Sequence, residues 1–436
     1  MTATRFVIAG AGGATFPPRL LGDLCQSAPL AGSTVVLFDP DPVRLEVMAG
    51  LARRMVAHRD ADLHIEATVE RAEALAGARF VVSTFAVGGL KPWAEDNRIP
   101  FAHGIYQTVG DTVGPGGLSR ALRTVPALVE LAQDMERHCP DAWLFNYANP
   151  MSALIRGVAR ETGIKVAGLC HGIAAVERFL AGYLGVARQR LRATHVGLNH
   201  LCWITDLRLG GADAYPLLRR RAKEVAPPPE ERASFLVFDA FGLYPSPAAR
   251  HVAEFFPYFL TEAAHQGRDY GLELWPWDDR LRLKGEQDAR LRRLAAGEEP
   301  IDPLFAPSGE RAVEIIGAIV SGQPTVQFAN LPNQGLVPNL PADAIVEVPA
   351  YCDASGVHGI ASGPLPAGIA AVLSGRWQQI ELTVTAALAG SRELALQALL
   401  ADPLTPSVEV ATTVLDELLA AQRPYLPRFQ QGGQPS

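Results

Sequence analysis

The chain has 436 residues, of which 48% are hydrophobic, and its 46 acidic residues outnumber its 39 lysines and arginines to give a formal charge of −7. This length and apolar content supply a sizeable core in two domains, which excludes large-scale disorder. The acidic balance excludes nucleic acid as a partner, and no apolar run is long enough to cross a bilayer, so no membrane association is expected.

Short apolar runs recur through the first half of the chain, and they are continuous rather than alternating. Continuous runs are typical of parallel strands that helices cover on both faces. Segments with helical spacing, such as 43–57 and 118–137, separate the runs. The pattern predicts an α/β fold that begins with a Rossmann-like, doubly wound parallel sheet over residues 1–195. The predicted strands are 5–10, 34–39, 63–68, 79–85, 142–150 and 165–170.

The second half of the chain has a different character. Residues 194–211 are predicted to form a strand pair or one long strand, and residues 323–366 carry many Pro and Gly around short strands. Residues 369–400 are strongly helical in composition. We therefore predict an α+β domain over residues 196–436.

The stretch FVIAGAGGATF (6–16) follows the first predicted strand and has the character of a phosphate-binding loop. Gly10, Gly12 and Gly13 allow the backbone to approach a pyrophosphate, whose charge the amides of a helix N-terminus can meet. Asp39 ends the second strand, where a carboxylate can accept hydrogen bonds from ribose hydroxyls. Thr15 stands where a third glycine is usual. The combination predicts a site for NAD rather than for its 2′-phosphorylated relative.

Two stretches, GLCHG (168–172) and GLNHLCW (197–203), place possible metal ligands at the ends of apolar runs. Cys170 and His200 would leave open positions on a divalent metal, as catalysis requires. The alternative is that Cys170 is a small core residue, which is the usual role of a lone cysteine. His171 favours a site, because a buried imidazole needs partners.

Three further polar residues each allow two interpretations. Asn149 in NYANP could orient a sugar hydroxyl or close a turn, and Asp111 in GDTVGPGG could belong to a glycine-rich turn. His251 opens an aromatic stretch that could be core or a wall on which a sugar stacks. Composition does not choose between these interpretations.

The order of motifs along the chain resembles family 4 of the glycoside hydrolases. The resemblance runs from residue 5 to about residue 404, and its most specific elements are GLCH, GLNH and NQGLVPNLP. Because His171 follows Cys170, the chain is more similar to the branch of α-galactosidases, α-glucuronidases and α-galacturonidases than to the phospho-sugar branch. The other matching stretches are GAGGATF, TFAVGG (84–89), GDTVGPGGLSRALRTVP (110–126), NYANPMS (146–152) and AALAGSRELALQALLADPL (386–404).

The resemblance implies an unusual hydrolysis of α-galactosides or α-uronides, because family 4 does not use the common pair of carboxylates. NAD⁺ would remove hydride from C3 of the sugar and so make the C2 proton acidic. A divalent metal, commonly Mn²⁺, would stabilise the enolate as a Lewis acid. The aglycone would then leave from C1, water would add, and hydride would return to C3.

The resemblance also implies roles for particular residues. Cys170 and His200 are the implied metal ligands, and Asn149 would hold sugar hydroxyls. Asp111 stands where the family more often has a glutamate, which is one methylene longer. The implied NAD site contains Gly10, Gly12 and Asp39, with the backbone of Val87, Gly88 and Gly89 beside the nicotinamide.

The acid and the base of the implied reaction come from the same comparison. His171 occupies the position of the general acid, a role that suits an imidazole near neutral pH. For the base that removes the C2 proton, a tyrosine of phospho-glucosidase relatives aligns roughly with His251, while Tyr244 lies slightly upstream. We prefer His251 to Tyr244.

The resemblance further implies a C-terminal domain of the lactate and malate dehydrogenase type, which would hold substrate and metal and form a homodimer or homotetramer. Five cysteines without a C-x-x-C pair, and a first apolar run typical of a core strand rather than a signal peptide, favour the cytoplasm. Two other functions compete: an NAD-dependent dehydrogenase of a sugar or hydroxy acid, and a nucleotide-sensing or structural protein without catalysis.

Overall fold

The computed structural model describes residues 3–430, and within them the chain forms thirteen strands and sixteen α-helices. The strands are β1 (Arg5–Ala9), β2 (Ser33–Phe38), β3 (Leu63–Thr68), β4 (Phe80–Ser83), β5 (Trp143–Asn146), β6 (Lys165–Gly168), β7 (Leu191–Leu198), β8 (Leu201–Leu209), β9 (Ala212–Asp213), β10 (Pro245–Ser246), β11 (Thr325–Pro332), β12 (Ile345–Asp353) and β13 (Gly356–Gly359). The helices are α1 (Phe16–Leu24), α2 (Pro42–Arg59), α3 (Arg71–Leu75), α4 (Leu90–Ala102), α5 (Gly114–His138), α6 (Met151–Glu161), α7 (Gly172–Leu184), α8 (Tyr215–Glu224), α9 (Arg232–Phe241), α10 (Ala249–Val252), α11 (Trp277–Ala296), α12 (Ala312–Ser321), α13 (Ala367–Ala389), α14 (Arg392–Leu400), α15 (Val408–Ala421) and α16 (Pro427–Gln430).

The first six strands are parallel neighbours in the order β3-β2-β1-β4-β5-β6. This is the strand order of dinucleotide-binding sheets, in which ligands bind at the carboxyl ends of the strands where the order reverses. The six strands predicted from continuous apolar runs are all present, and the predicted fold class is confirmed. The loops after β1, β4, β5 and β6 therefore meet at one edge of the sheet.

The sheet continues into the second half of the chain through antiparallel strands. β11 pairs with β6 where Asn330 lies opposite Gly168, β12 pairs with β11, and β7 pairs with β12 where Glu347 lies opposite Gly197. The strand pair predicted within 194–211 is the hairpin of β7 and β8, and β10 and β9 add to its outer strand. The predicted domain boundary at residues 195 and 196 falls inside β7 and stays a prediction.

Helices cover both faces of this sheet. α5, α6 and α13 pack on one face around a core that includes Val125, Leu154 and Trp377, and α1, α2 and α12 pack on the other face. The helical run predicted at 369–400 is divided into α13 and α14, because Gly390 ends α13 with φ +66° and the Ser391 side chain caps α14. In the described part of the chain, no helix is both long and apolar enough to span a membrane.

Candidate active site

The glycine loop after β1 is a tight turn that leaves no room for side chains. The Gly13 amide donates to the Gly10 carbonyl over 3.2 Å, and Gly10 has φ +87°. A Cβ on Gly12 would lie 2.7 Å from Arg44 Cβ and 2.9 Å from a carboxylate oxygen of Asp39. The Gly12 amide instead donates to Asp39 Oδ2 over 2.8 Å. The loop and the carboxylate predicted for NAD are thus brought together at the start of α1.

A second loop, 84–89, follows β4 beside the glycine loop, since β1 and β4 are neighbours. Gly88 and Gly89 both have positive φ, and Gly89 precedes α4. The Val87 carbonyl accepts a hydrogen bond of 3.2 Å from Arg123, which also forms a fully buried ion pair with Asp96 of α4. This pair holds α4, α5 and the predicted nicotinamide loop in one arrangement.

The centre of the site is a cluster of Asp111, His200 and His251, whose potential ligand atoms all lie within 4.8 Å of one another. Asp111 Oδ1 accepts a hydrogen bond of 2.7 Å from the Thr112 hydroxyl, and Asp111 Oδ2 accepts one of 2.8 Å from Asn149 Nδ2. Both carboxylate oxygens of Asp111 therefore accept a hydrogen bond. Asn149 therefore lies beside Asp111 with its amide directed to that carboxylate, and its role toward a sugar stays a prediction.

His200 lies in the tight turn between β7 and β8, where its φ is +65°. Its Nδ1 is 2.8 Å from the Thr112 oxygen. Because that hydroxyl donates to Asp111, the imidazole donates through Nδ1–H and its Nε2 keeps a lone pair. Burial lowers the pKa of His200 to about 4, against the raising influence of Asp111, so the ring is neutral near pH 7. A neutral ring with a free nitrogen is the form that binds a metal ion.

The ring of His251 packs against the ring of His200, with 4.1 Å between centroids and an angle of 42° between the ring planes. Its Nδ1 is buried and has no hydrogen-bond partner among the described residues. Burial, followed by the influence of His200 and Arg250, holds the pKa of His251 well below its usual value. The site therefore contains a buried imidazole that is neutral near pH 7 and whose Nδ1 makes no hydrogen bond within the described residues.

Cys170 and His171 follow β6 at the same edge of the sheet. Burial raises the pKa of the Cys170 thiol, and the carboxylates of Glu347 and Asp111 act in the same direction. Cys170 is not a member of the cluster of Asp111, His200 and His251. His171 is open, with 64% of its side chain exposed, and its Nδ1 is 3.9 Å from Glu310 Oε1. Burial, and then Arg19, lowers the pKa of His171.

The structure does not bring Tyr244 to this cluster. Its side chain is fully buried among Phe179, Phe235 and Phe238, and its hydroxyl is 3.3 Å from Glu231. Burial raises the pKa of Tyr244 well above 10. Tyr244 therefore belongs to the aromatic packing of α7 and α9.

Residues that the sequence analysis did not identify hold the site in place. Glu254, one turn after His251, accepts hydrogen bonds from the amides of Val109 (2.8 Å) and Gly110 (2.9 Å). Its carboxylate therefore fixes the loop that carries Asp111 relative to the segment that carries His251. Burial raises the pKa of Glu254 to about 8. A lone Glu in an aromatic stretch gave no sequence signal for this role.

The family models match almost the whole chain. Residues 5–186 match the model described as family 4 glycosyl hydrolase, and residues 195–405 match the model of its C-terminal domain. The chain is 32% identical to an α-galactosidase of Bacillus subtilis (strain 168), over 98% of this chain and 100% of that one. It is 33% identical to an α-glucosidase of Erwinia rhapontici, over 97% of this chain and 99% of that one. It is 31% identical to an α-galacturonidase of B. subtilis (strain 168), over 91% of this chain and 92% of that one.

Solved structures share the same architecture. A proposed glucosidase from B. subtilis has a TM-score of 0.88 at 29% identity, covering 96% of this chain and all of that one. A 6-phospho-α-glucosidase from gut microorganisms, in complex with NAD and Mn²⁺, has a TM-score of 0.84 at 22% identity, covering 98% of this chain and 99% of that one. A malate dehydrogenase from Plasmodium falciparum has a TM-score of 0.53 at 12% identity, covering 90% of this chain and 100% of that one, which shows a likeness of fold alone. The dehydrogenase-like type predicted for the second half is therefore confirmed.

Proposed function

The chain belongs to family 4 of the glycosyl hydrolases, and on that premise we propose that it hydrolyses the α-glycosidic bond of a galactoside or a uronide. Relatives at 30% identity or more that are named α-galactosidase and α-galacturonidase support this substrate class. The α-glucosidase relative adds glucosides to the substrates that an assay should include.

One observation carries the proposal: a glycine loop suited to a dinucleotide and a cluster of metal-binding side chains lie at the same edge of one sheet. A dehydrogenase of hydroxy acids needs the first and has no need for the second. The donor set fits a divalent ion, because the lone pair of His200, the carboxylate of Asp111 and an imidazole nitrogen of His251 lie within 4.8 Å of one another. The turn of Gly10, Gly12 and Gly13 just before α1 fits a pyrophosphate, because glycines let the backbone approach it closely.

NAD and Mn²⁺, when bound, would supply reversible hydride removal at C3 of the sugar and Lewis-acid stabilisation at its C2 and C3 oxygens. Gly10, Gly12 and Asp39 would hold the dinucleotide, with Val87, Gly88 and Gly89 beside its nicotinamide. Cys170 and His200 would hold the metal. Metal binding would stabilise the Cys170 thiolate, the form that burial disfavours.

In this proposal, two histidines carry out the proton transfers. His251 would remove the C2 proton, since its buried Nδ1 makes no hydrogen bond within the described residues and its ring is neutral. His171, exposed at the rim, would protonate the departing oxygen. Asn149 and Asp111 would orient the sugar, because the amide and the carboxylate already hydrogen-bond each other at the centre of the site.

The test is an assay of metal-stripped protein with p-nitrophenyl α-galactoside, α-glucoside, α-galacturonide and α-glucuronide in D₂O, with and without NAD⁺ and Mn²⁺. We expect aglycone release that requires both additions, deuterium at C2 of the released sugar, and no net NADH. NADH accumulating without aglycone release would overturn the proposal in favour of a dehydrogenase. The predicted cytoplasmic location and homodimer or homotetramer stay predictions.

A further inference from the structure

Residues 422–430 pack against the predicted nicotinamide loop at 84–89, although the two segments are more than 300 positions apart in the chain. The ring of Tyr425 lies against Gly88, where a Cβ would be 3.0 Å from Tyr425 Cζ and 2.4 Å from Pro92 Cγ. Gly88 has a φ of +76°, which residues with a side chain rarely adopt. The tyrosine ring can therefore approach the backbone of the loop closely.

The same segment is connected to the loop by a second route. Gln422 Nε2 donates to Asp96 Oδ1 over 3.0 Å. Asp96 is the buried partner of Arg123, and Arg123 donates to the Val87 carbonyl over 3.2 Å. Two adjacent residues of the loop, Val87 and Gly88, are thus held by contacts that lead to one segment of the chain.

The segment is itself anchored on both sides of Tyr425. Gln422 is buried, and Leu426 belongs to the main hydrophobic core. Arg428 donates to the Leu388 carbonyl, near the end of α13, over 2.7 Å. The half-buried ring of Tyr425 is therefore held in place by its neighbours before any cofactor binds.

The loop at 84–89 has little conformational preference of its own. Gly88 and Gly89 both have positive φ, and glycine adopts negative φ about as readily. Within the loop, the Gly89 amide donates to the Ala86 carbonyl over 2.9 Å. A ligand binds such a loop with an affinity that falls in proportion to the fraction of molecules in the binding conformation. Contacts from outside the loop can therefore set the affinity.

We propose that Tyr425 is a positioning residue for the dinucleotide: its ring keeps the loop at 84–89 in the conformation that receives the nicotinamide. The inference rests on the proposed function, because it takes 84–89 as the nicotinamide loop. Tyr425 follows residue 405, where the match to the family model of the C-terminal domain ends. It acts on the loop after β4, whereas the proposed metal ligands Cys170 and His200 lie after β6 and between β7 and β8. Mn²⁺ affinity should therefore not depend on Tyr425.

The experiment measures binding rather than turnover. Isothermal titration calorimetry gives separate dissociation constants for NAD⁺ and Mn²⁺ in the wild type, Tyr425→Ala, Tyr425→Phe and Tyr351→Ala. Tyr425→Phe keeps the ring, and Tyr351→Ala is the matched control at an exposed position in β12. Hydrogen exchange followed by mass spectrometry, without NAD⁺, compares the 84–89 backbone of the four proteins and uses the buried strand β5 as a reference for the fold.

We expect Tyr425→Ala to bind NAD⁺ about tenfold more weakly, the result of an about tenfold smaller fraction of loops in the binding conformation. Its 84–89 amides should exchange faster than those of the wild type, while its Mn²⁺ affinity and the exchange of β5 should be unchanged. Tyr425→Phe and Tyr351→Ala should match the wild type in every measurement.

Wild-type NAD⁺ affinity in Tyr425→Ala would overturn the role of Tyr425 while leaving the proposed function intact. Weaker NAD⁺ binding accompanied by an equal loss of Mn²⁺ affinity, by faster exchange throughout the chain or by unchanged exchange at 84–89 would also overturn it, because the effect would not act through the loop. Tyr425→Phe binding as weakly as Tyr425→Ala would exclude the ring contact. Failure of the wild type to bind NAD⁺ would overturn both proposals.

Discussion

His251 is the residue on which the proposed chemistry depends most directly. Its buried Nδ1 makes no hydrogen bond within residues 3–430, and in the proposed reaction it serves as the base. We predict that His251→Ala loses exchange of the C2 proton with D₂O by a factor of 10² or more, the scale typical of general base catalysis. Deuterium incorporation followed by NMR measures this loss. His265→Ala, at an exposed position, is the matched control, and unimpaired exchange in His251→Ala would rule out the role.

Glu254 gives the chain a predictable dependence of stability on pH. Burial raises its pKa from an ordinary value near 4.5 to about 8, so between these values the folded chain keeps a proton that the unfolded chain has released. The free energy of unfolding should therefore fall as pH rises from about 4.5 to about 8. Glu254→Gln should flatten this dependence, whereas Glu46→Gln, at an exposed position, should not. Urea titrations at a series of pH values measure the effect, and equal slopes in Glu254→Gln and wild type would contradict it.

At the scale of elements, the glycine loop between β1 and α1 is the feature most sensitive to a single methyl group. A Cβ at Gly12 would meet Arg44 Cβ at 2.7 Å and Asp39 Oδ2 at 2.9 Å. We predict that Gly12→Ala weakens NAD⁺ binding at least about tenfold, because the displaced loop no longer fits the pyrophosphate. Gly50→Ala in α2, where a Cβ meets nothing within 4 Å, is the control. Fluorescence titration with NADH measures both, and equal affinities would contradict the prediction.

The elements also show what sequence could and could not predict. Buried parallel strands are continuous apolar runs, so β1 to β6 could be identified one by one, and with them the edge that carries Gly10, Asp39 and Cys170. Contacts between distant segments leave no such trace. The bond from Thr112 to His200 spans 88 positions, and those from Val109 and Gly110 to Glu254 span about 145. For the same reason, sequence could not separate Tyr244 from His251, which differ in the direction of their side chains.

For the whole molecule, the buried ion pair of Arg123 and Asp96 is a junction between distant parts of the chain. Asp96 also accepts a hydrogen bond of 3.0 Å from Gln422, so α4, α5 and the end of α15 meet at one carboxylate. Removing one partner of a buried pair leaves an uncompensated polar group. We predict that Arg123→Met lowers the free energy of unfolding by about 3 kcal/mol.

Urea unfolding of the purified chain measures this loss. The exposed pair of Arg282 and Glu286 provides the control, since Arg282→Met should leave the free energy of unfolding close to that of the wild type. A loss in Arg123→Met no larger than that of the control would show that the junction does not contribute to stability.

The pairing of β6 with β11 restricts which segments this protein can exchange with its relatives by recombination. β11 is encoded more than 150 positions after β6, yet the two strands lie side by side in one sheet. A recombination event with one crossover between the two strands would pair β6 from one parent with β11 from the other. The contact between Gly168 and Asn330 would then join residues from two different proteins. Chimeras of related enzymes should therefore survive only with paired crossovers that keep β6 and β11 from the same parent, and new substrate preferences should arise by changes in the loops rather than by shuffling of halves.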